Sequence, residues 1–386
     1  MRRSPGVLLV LALLAVASRH AVAQSKGAFL VRLGNDTTAI EQFEFGKGRI
    51  DILTATRAPR AGLRHTVITL GRQDEFSAIE IQALDPAAPA APARQTTTAR
   101  IQGDSMAGAM RADTTVRPFG LKVPPGTETP AGSMWLLYER MSMRRARMKA
   151  DSLRLPMYFL TDTEINWVAV RRLGADSIDI ETTYDRYHAK VDKEGRILGL
   201  KPIKGTQQFS LERLPSADIQ TWAANFLARE KAQGMAGQFS PRDTARADAA
   251  GAHLVIDYGR PSKRGRVIFG NVVPWGEVWR TGANAATQFS TDKPVKLGGT
   301  LVPAGKYTLW TIPTPDGWTL IVNSETGQWG TDHKAERDLY KIPMSVATKG
   351  DVTEKFFIHI ADEGGKGQFH FVWDQTVAAV DFEVQS

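Results

Sequence analysis

Residues Lys355–Asp374 read KFFIHIADEGGKGQFHFVWD, and this stretch decides the fold class of the second half of the chain. Apolar and polar side chains alternate on both sides of Gly364-Gly365, the two-residue period of strands with one buried face. A two-residue turn at those glycines sets His359 opposite His370. It also gives Phe356, Ile358 and Ile360 the same face as Phe369, Phe371 and Trp373, which is the core side. The facing histidines could hold zinc with help from an acid, or be two imidazoles on a solvated face.

Working outward, Tyr307–Ile312 and Trp318–Asn323 flank Pro313-Thr314-Pro315-Asp316-Gly317, residues that fix a turn. Leu254, Ile256 and Tyr258 alternate with His253, Val255 and Asp257, and Ala379–Val384 adds a last strand. Many short strands with Gly/Pro turns predict a C-terminal antiparallel β-sandwich over residues 253–386.

The first half is also mainly β. Ile40–Phe45 and Arg49–Thr54 flank Gly46-Lys47-Gly48, and Leu63–Leu70 and Phe76–Leu84 follow in the same style. Asp85–Arg94 (DPAAPAAPAR) is low-complexity and reads as a mobile loop. Ser133 caps a helix over 134–150, further strands are expected at Met157–Leu160, Ile165–Arg172 and Ser177–Tyr184, and Tyr187–Val191 and Ile197–Leu200 form a hairpin. Ser216 caps a second helix, with Ile219, Trp222, Phe226 and Leu227 on one face. Residues 24–228 thus form an N-terminal antiparallel β-sheet domain with two helices. Residues 229–252 lack periodic apolar positions and are expected to be a linker.

At 386 residues the chain is long enough for two cores. Arg2 and Arg3, the apolar run Val7–Ala17 and the small residues Ala21-Val22-Ala23 read as a signal peptide over residues 1–23, cleaved after Ala23. The expected location is therefore periplasmic or secreted. Processing removes three arginines and no acid, so the formal charge falls from +8 to +5, with little support for nucleic-acid binding. The chain has no cysteine, which excludes disulfides, thiolate metal sites and cysteine nucleophiles. After the signal, no apolar stretch approaches the ~20 residues of a membrane helix.

The densest chemistry lies in Tyr258–Asn284, YGRPSKRGRVIFGNVVPWGEVWRTGAN, with four arginines, two tryptophans and five glycines. With the later LVPAGKYTLWTIPTPDGWTLIVNSETGQWGT, this region resembles a bacterial family of domains of unknown function, family 2911 (DUF2911). The resemblance rests on Tyr258–Pro261, Arg280–Asn284, Pro303–Gly305 and Trp373 and spans about residues 253–386. It implies no activity, and the first half carries no recognised motif.

Candidate ligand-binding residues are Tyr258, Arg260, Trp275, Trp279, Arg280, Thr281 and Asn284. A guanidinium, a hydroxyl and a carboxamide within five residues can clamp a carboxylate, a phosphate or sugar hydroxyls, and indoles can wall such a ligand. The structural alternative pairs Arg280 with Glu277 and uses Asn284 for a left-handed turn. Trp310 and Trp373, inside alternating strands, read as core. Hydrolase, NTPase, zinc-protease and dinucleotide motifs are absent, and neither a metal nor a cofactor is expected.

Two functions fit: an exported binding module for a polar or glycan-like envelope ligand, or an extracytoplasmic hydrolase-like enzyme. The enzyme would use Arg280 and Asn284, with Tyr258, His359 or Asp257 as proton carrier. The basic helix segment 140–149 either touches envelope lipid or is a solvated helix face.

Overall fold

A computed structural model describes residues 25–385 apart from 73, 131–132, 161–163, 184 and 205–207. The expected signal peptide and Tyr184 lie outside the described residues. The first part is one antiparallel sheet of fourteen strands in the order β8-β7-β6-β5-β4-β3-β2-β1-β14-β13-β12-β11-β10-β9. These are β1 (Ser25–Leu33), β2 (Asp36–Gly46), β3 (Arg49–Thr56), β4 (Gly62–Leu70), β5 (Phe76–Leu84), β6 (Gln95–Gln102), β7 (Ser105–Ala112) and β8 (Thr115–Lys122) on one wing. The other wing holds β9 (Ser152–Met157), β10 (Asn166–Arg172), β11 (Ser177–Thr182), β12 (Arg186–Val191), β13 (Ile197–Lys204) and β14 (Phe209–Leu214).

Strand alternation splits this sheet into two apolar faces. Phe29, Phe43, Ile50, Ile52 and Ile68 point to one side, and Leu30, Ile40, Ala55 and Leu63 to the other. Helix α1 (Met134–Arg147) enters the first face, and its core joins Ile79 and Met106 of one wing to Val168, Ile180 and Leu200 of the other. A sheet touching one helix with both wings must curve around it, and β8 and β9 remain edges, so no barrel closes. Helix α2 (Ile219–Gln233) covers the second face through Ile219, Ala223 and Phe226.

Ser133 caps α1 as expected, accepting from Leu136 N at 3.0 Å. The cap of α2 is Asp218 rather than Ser216, because Ala217 N is held by Gln42 Oε1 on the sheet and the helix begins beyond that tether. Segment 140–149 does not present one solvated basic face. Arg140 and Arg145 are buried, and Arg140 is ion-paired to buried Glu128. The Asp85–Arg94 loop is closed by an Arg94–Asp85 ion pair and by Arg94 N bonding Ala83 O at 2.8 Å.

Glu41 gives the first part a pH dependence. It is buried beneath the α1 N-terminus and accepts the Ser133 hydroxyl, and burial pushes its carboxyl up to about 7. Between the ordinary carboxylate range and about pH 7 the folded state therefore holds a proton that the unfolded chain has lost. This contribution lowers stability as pH rises through that window, by at most about 3 kcal/mol. Glu41→Gln, which keeps an acceptor for Ser133, is expected to flatten the fall between pH 5 and 8 in urea titrations. An unchanged pH profile would contradict this.

The second part is a nine-stranded antiparallel sheet in the order β15-β16-β17-β20-β21-β22-β23-β18-β19. Its strands are β15 (Arg242–Ala249), β16 (Ala252–Gly259), β17 (Thr287–Thr291), β18 (Val295–Leu297), β19 (Thr300–Val302), β20 (Gly305–Thr314), β21 (Gly317–Asn323), β22 (Asp338–Asp362) and β23 (Lys366–Val384). The long strands β22 and β23 carry the ladder from one layer into the other. Tyr258 of β16 meets Phe356 of β22 at 5.6 Å, and Phe289 of β17 meets Phe369 of β23 at 5.7 Å. Neither pair is adjacent in the ladder, so these rings pack across two layers, as in a sandwich. The β22–β23 hairpin has the expected register, with His359 opposite His370 and the predicted apolar face buried. Among the described residues no three His, Asp or Glu are grouped to hold a metal.

The expected linker 229–252 is shorter in the structure. Helix α2 runs to Gln233 and Arg242–Ala249 is a strand paired with β16, which leaves 234–241 as the connector. Strand β15 escapes the periodicity rule because its apolar residues are alanines, and it forms through the ladder rather than through large buried side chains.

The two parts also meet away from the connector. The β1–β2 turn abuts the Lys263–Arg266 turn, with Asn35 N bonding Arg264 O at 2.9 Å and Arg264 paired to Asp36. Gly265 sits at φ +69° directly on the Asn35 side chain, where a Cβ would collide. Burial pushes the Asp36 carboxyl up, but Arg57 and Arg264 more than reverse this and leave it below the usual range.

Candidate functional site

A cleft of about 610 Å³ opens at this junction. The first part contributes Leu33, Pro59, Gln208 and Phe209, and the connector contributes Gly237–Ser240. The second part supplies Arg264, Arg266, Trp279, Arg280, Asn284, Trp329 and Trp373. Phe209 packs edge-on against both Trp135 of α1 and Phe239 of the connector, so the cleft wall continues into the first core.

The Arg280–Asn284 turn is fixed by its neighbours. Trp279 exchanges main-chain bonds with Thr311 at 2.8 and 2.9 Å, and its indole donates to Gly282 O at 3.1 Å. The Trp279 ring stacks on Trp373 with centroids 6.1 Å apart and meets Phe356 edge-on at 5.3 Å. Arg280 runs under Gly330, where a Cβ would collide with its aliphatic stem and with Asn284 O. Burial lowers the guanidinium's pKa to about 10, and the charge of Asp185, on the β11–β12 turn, acts in the opposite direction. The acidic charge that acts on Arg280 is thus that of Asp185 rather than that of Glu277, with which it forms no ion pair among the described residues. Asn284 adopts φ +62°, as expected of a left-handed turn, and its amide donates to Ser240 O at 3.3 Å.

Of the seven sequence-predicted residues, Trp279, Arg280 and Asn284 converge on the cleft. Tyr258 and Arg260 line a separate shallow groove beside β15, where both bond Asp243, at 3.4 and 3.1 Å. Tyr258 lies on β16 and Arg260 just beyond its end, and both side chains reach Asp243 of β15 and the Phe356 region of β22 rather than the junction. Thr281 is fully buried and bonded to Trp279 O and Thr311 Oγ1, so its hydroxyl is structural. Trp275 is exposed and stacks on Phe269 outside the cleft. Trp310 and Trp373 are buried as expected, with Trp373 also forming part of the cleft wall.

Sequence reading missed Phe209, Gln208 and the connector. A lone aromatic in an otherwise polar stretch, Phe239, was the available signal for the connector. Arg264 and Arg266 lay within the quoted 258–284 stretch but had no distinguishing spacing.

Residues 240–382 match a family model described as "Protein of unknown function (DUF2911)". The matched region thus begins before β15 and includes the strand that lies within the expected linker. No curated protein matches the chain. Among solved structures, it is similar to a DUF1089 family protein from Pseudomonas aeruginosa, at 10% identity over 43% of this chain and 90% of that one, with TM-score 0.29. It is also similar to a β-barrel-like protein of the unknown-function family DUF1849 from Brucella abortus, at 10% identity over 49% and 94% of the two chains, with TM-score 0.31. No helix among the described residues is long and apolar enough to cross a membrane.

Proposed function

We propose that this protein is an exported binding module that holds a polar, glycan-like envelope ligand in the cleft between its two β parts. The observation that carries the reading is the lining itself, which combines Trp279, Trp329, Trp373, Phe209 and Phe239 with Arg264, Arg266, Arg280 and Asn284. Aromatic faces suit the apolar faces of a sugar ring, and fixed polar groups orient its hydroxyls. The described lining residues include no acid, histidine or lysine to carry a proton. Tyr258 and His359, the carriers an enzyme would need, line the other groove, and Asp257 is paired with Arg242. Binding therefore fits better than turnover. The lipid contact expected of segment 140–149 is not part of the reading, since Arg140 and Arg145 are buried. Export rests on the N-terminal sequence, and terminal sequencing of the mature protein should find Gln24 first.

Trp329 is 40% exposed, so truncating it should spare the fold. Trp329→Ala is expected to weaken binding of an envelope oligosaccharide about tenfold in calorimetric titration, with an unchanged melting temperature. Equal affinity in both proteins would remove the cleft as the site.

A further inference from the structure

The charges that line the cleft all have one sign: Arg264, Arg266 and Arg280, with no carboxylate among the described lining residues. They are not equally committed. Arg264 is ion-paired to Asp36 and lies over the Phe239 ring at 5.2 Å. Arg280 is the more deeply buried and feels the opposing charge of Asp185. Arg266 differs from both. Its Nε donates to Lys263 O at 3.0 Å and its Nη2 to Ser262 O at 2.6 Å, so two of its five N–H groups are held by the main chain. No carboxylate forms an ion pair with it among the described residues, and Nη1 has no protein partner there. Burial and the neighbouring Arg264 charge lower its pKa to about 10, against a weaker opposing pull from Glu354.

A guanidinium held rigidly by two carbonyls, partly desolvated and with its remaining donors unengaged, is pre-organised for an oxyanion, which it can meet with parallel hydrogen bonds. Arg280 lines the same cleft, and the aromatic walls reduce screening of both charges by water. We infer that the cleft selects ligands bearing an oxyanion, a carboxylate or a phosphate, on a ring-bearing body, with Arg266 as the principal anion contact. This inference rests on the binding-module reading and narrows its ligand to an acidic class.

Two measurements on the full chain test it. The first compares melting temperature in inorganic phosphate with that in chloride at equal ionic strength. Phosphate is expected to raise it by about 3 °C or more through binding to the native state, and Arg266→Met should abolish the increment while Arg266→Lys keeps part of it. An increment that persists in Arg266→Met is general salt stabilisation and overturns the assignment. The second follows tryptophan fluorescence on titration with glucuronate, glucose 6-phosphate, glucose and glucosamine, and with matched acidic and neutral oligosaccharides. The acidic members should bind at least about tenfold tighter than the neutral ones, and glucuronate against glucose 6-phosphate tells carboxylate from phosphate. If neutral and acidic sugars bind alike, the anion inference fails and the binding cleft stands. If nothing in the panel binds and phosphate has no effect, both fail together.

Discussion

Arg140→Ala is expected to destabilise the protein by about 3–5 kcal/mol, because it removes one partner of an ion pair that is buried on both sides. Glu128 and Arg140 are 3% and 8% exposed, with Nη1 to Oε2 at 2.6 Å and Nη2 to Oε1 at 3.3 Å. Arg140 also donates to Asp74 O at 2.9 Å and so ties α1 to the β4–β5 turn. The Glu128 main chain cannot shift to carry the carboxylate to solvent once Arg140 is gone. Its own N–H and carbonyl are bonded to Pro156 and Tyr158, at 2.9 and 3.0 Å. Burial already pushes its carboxyl up, with Arg140 and then Arg144 pulling it back, and the variant loses the larger of those two opposing effects. Urea unfolding at neutral pH measures the cost. The double replacement Glu128→Leu with Arg140→Met should recover most of it, since a buried pair contributes little beyond what well-packed apolar groups supply. A loss under about 1 kcal/mol in the single variant would mean that the pair is hydrated in solution.

How much of the fold was legible depended on where the apolar side chains lie. The β22–β23 hairpin was readable down to its His359–His370 register because large buried residues alternate on both sides of its turn, over 356–360 and 369–373. The same reasoning passed over β6, β7 and β8, where Thr, Ala and Arg predominate and most side chains are exposed or half-buried. Those strands are held by the ladder propagating from β5, and backbone pairing leaves little trace in composition. Central strands β1 and β14 were missed for another reason. They join the two wings across about 180 residues of sequence, and such pairing is a long-range event that no local window contains.

The site divides in the same way. Trp279, Arg280 and Asn284 lie on one turn, and a turn crowded with rigid and polar residues was visible locally. Tyr258 and Arg260 are close in sequence, but β16 delivers them to another surface. Phe209, Phe239 and Gln208 reach the cleft only because the first sheet and the connector close against the second part. The pairing of Arg264 with Asp36, and the reach of the Asp185 charge to Arg280, likewise depend on that closure.

Trp279→Ala should be the most damaging single change in the second part, at about 3–5 kcal/mol, the usual cost of emptying a core position filled by an indole. Trp279 is 8% exposed and contacts four other rings, Phe269, Trp318, Phe356 and Trp373, so its loss leaves a void lined on several sides. The loops and strands that carry those rings are independently braced, including the 2.9 Å bond from Phe356 N to Pro261 O, and cannot fully collapse into the gap. The binding consequence is separable from the packing one. Trp279→Phe keeps most of the ring but deletes the indole N–H that holds Gly282 O. That variant should cost less, about 1–2 kcal/mol, yet loosen the 280–284 turn that places Arg280 and Asn284 in the cleft. Denaturant titrations should therefore rank Trp279→Ala well below Trp279→Phe in stability, while ligand titrations show a substantial loss of affinity already in the milder variant. If Trp279→Phe binds as well as the parent, the indole bond does not position the turn, and its other contacts, among them Thr281 to Thr311, Asn284 to Ser240 and Gly330 N to Asn284 O, suffice to hold it.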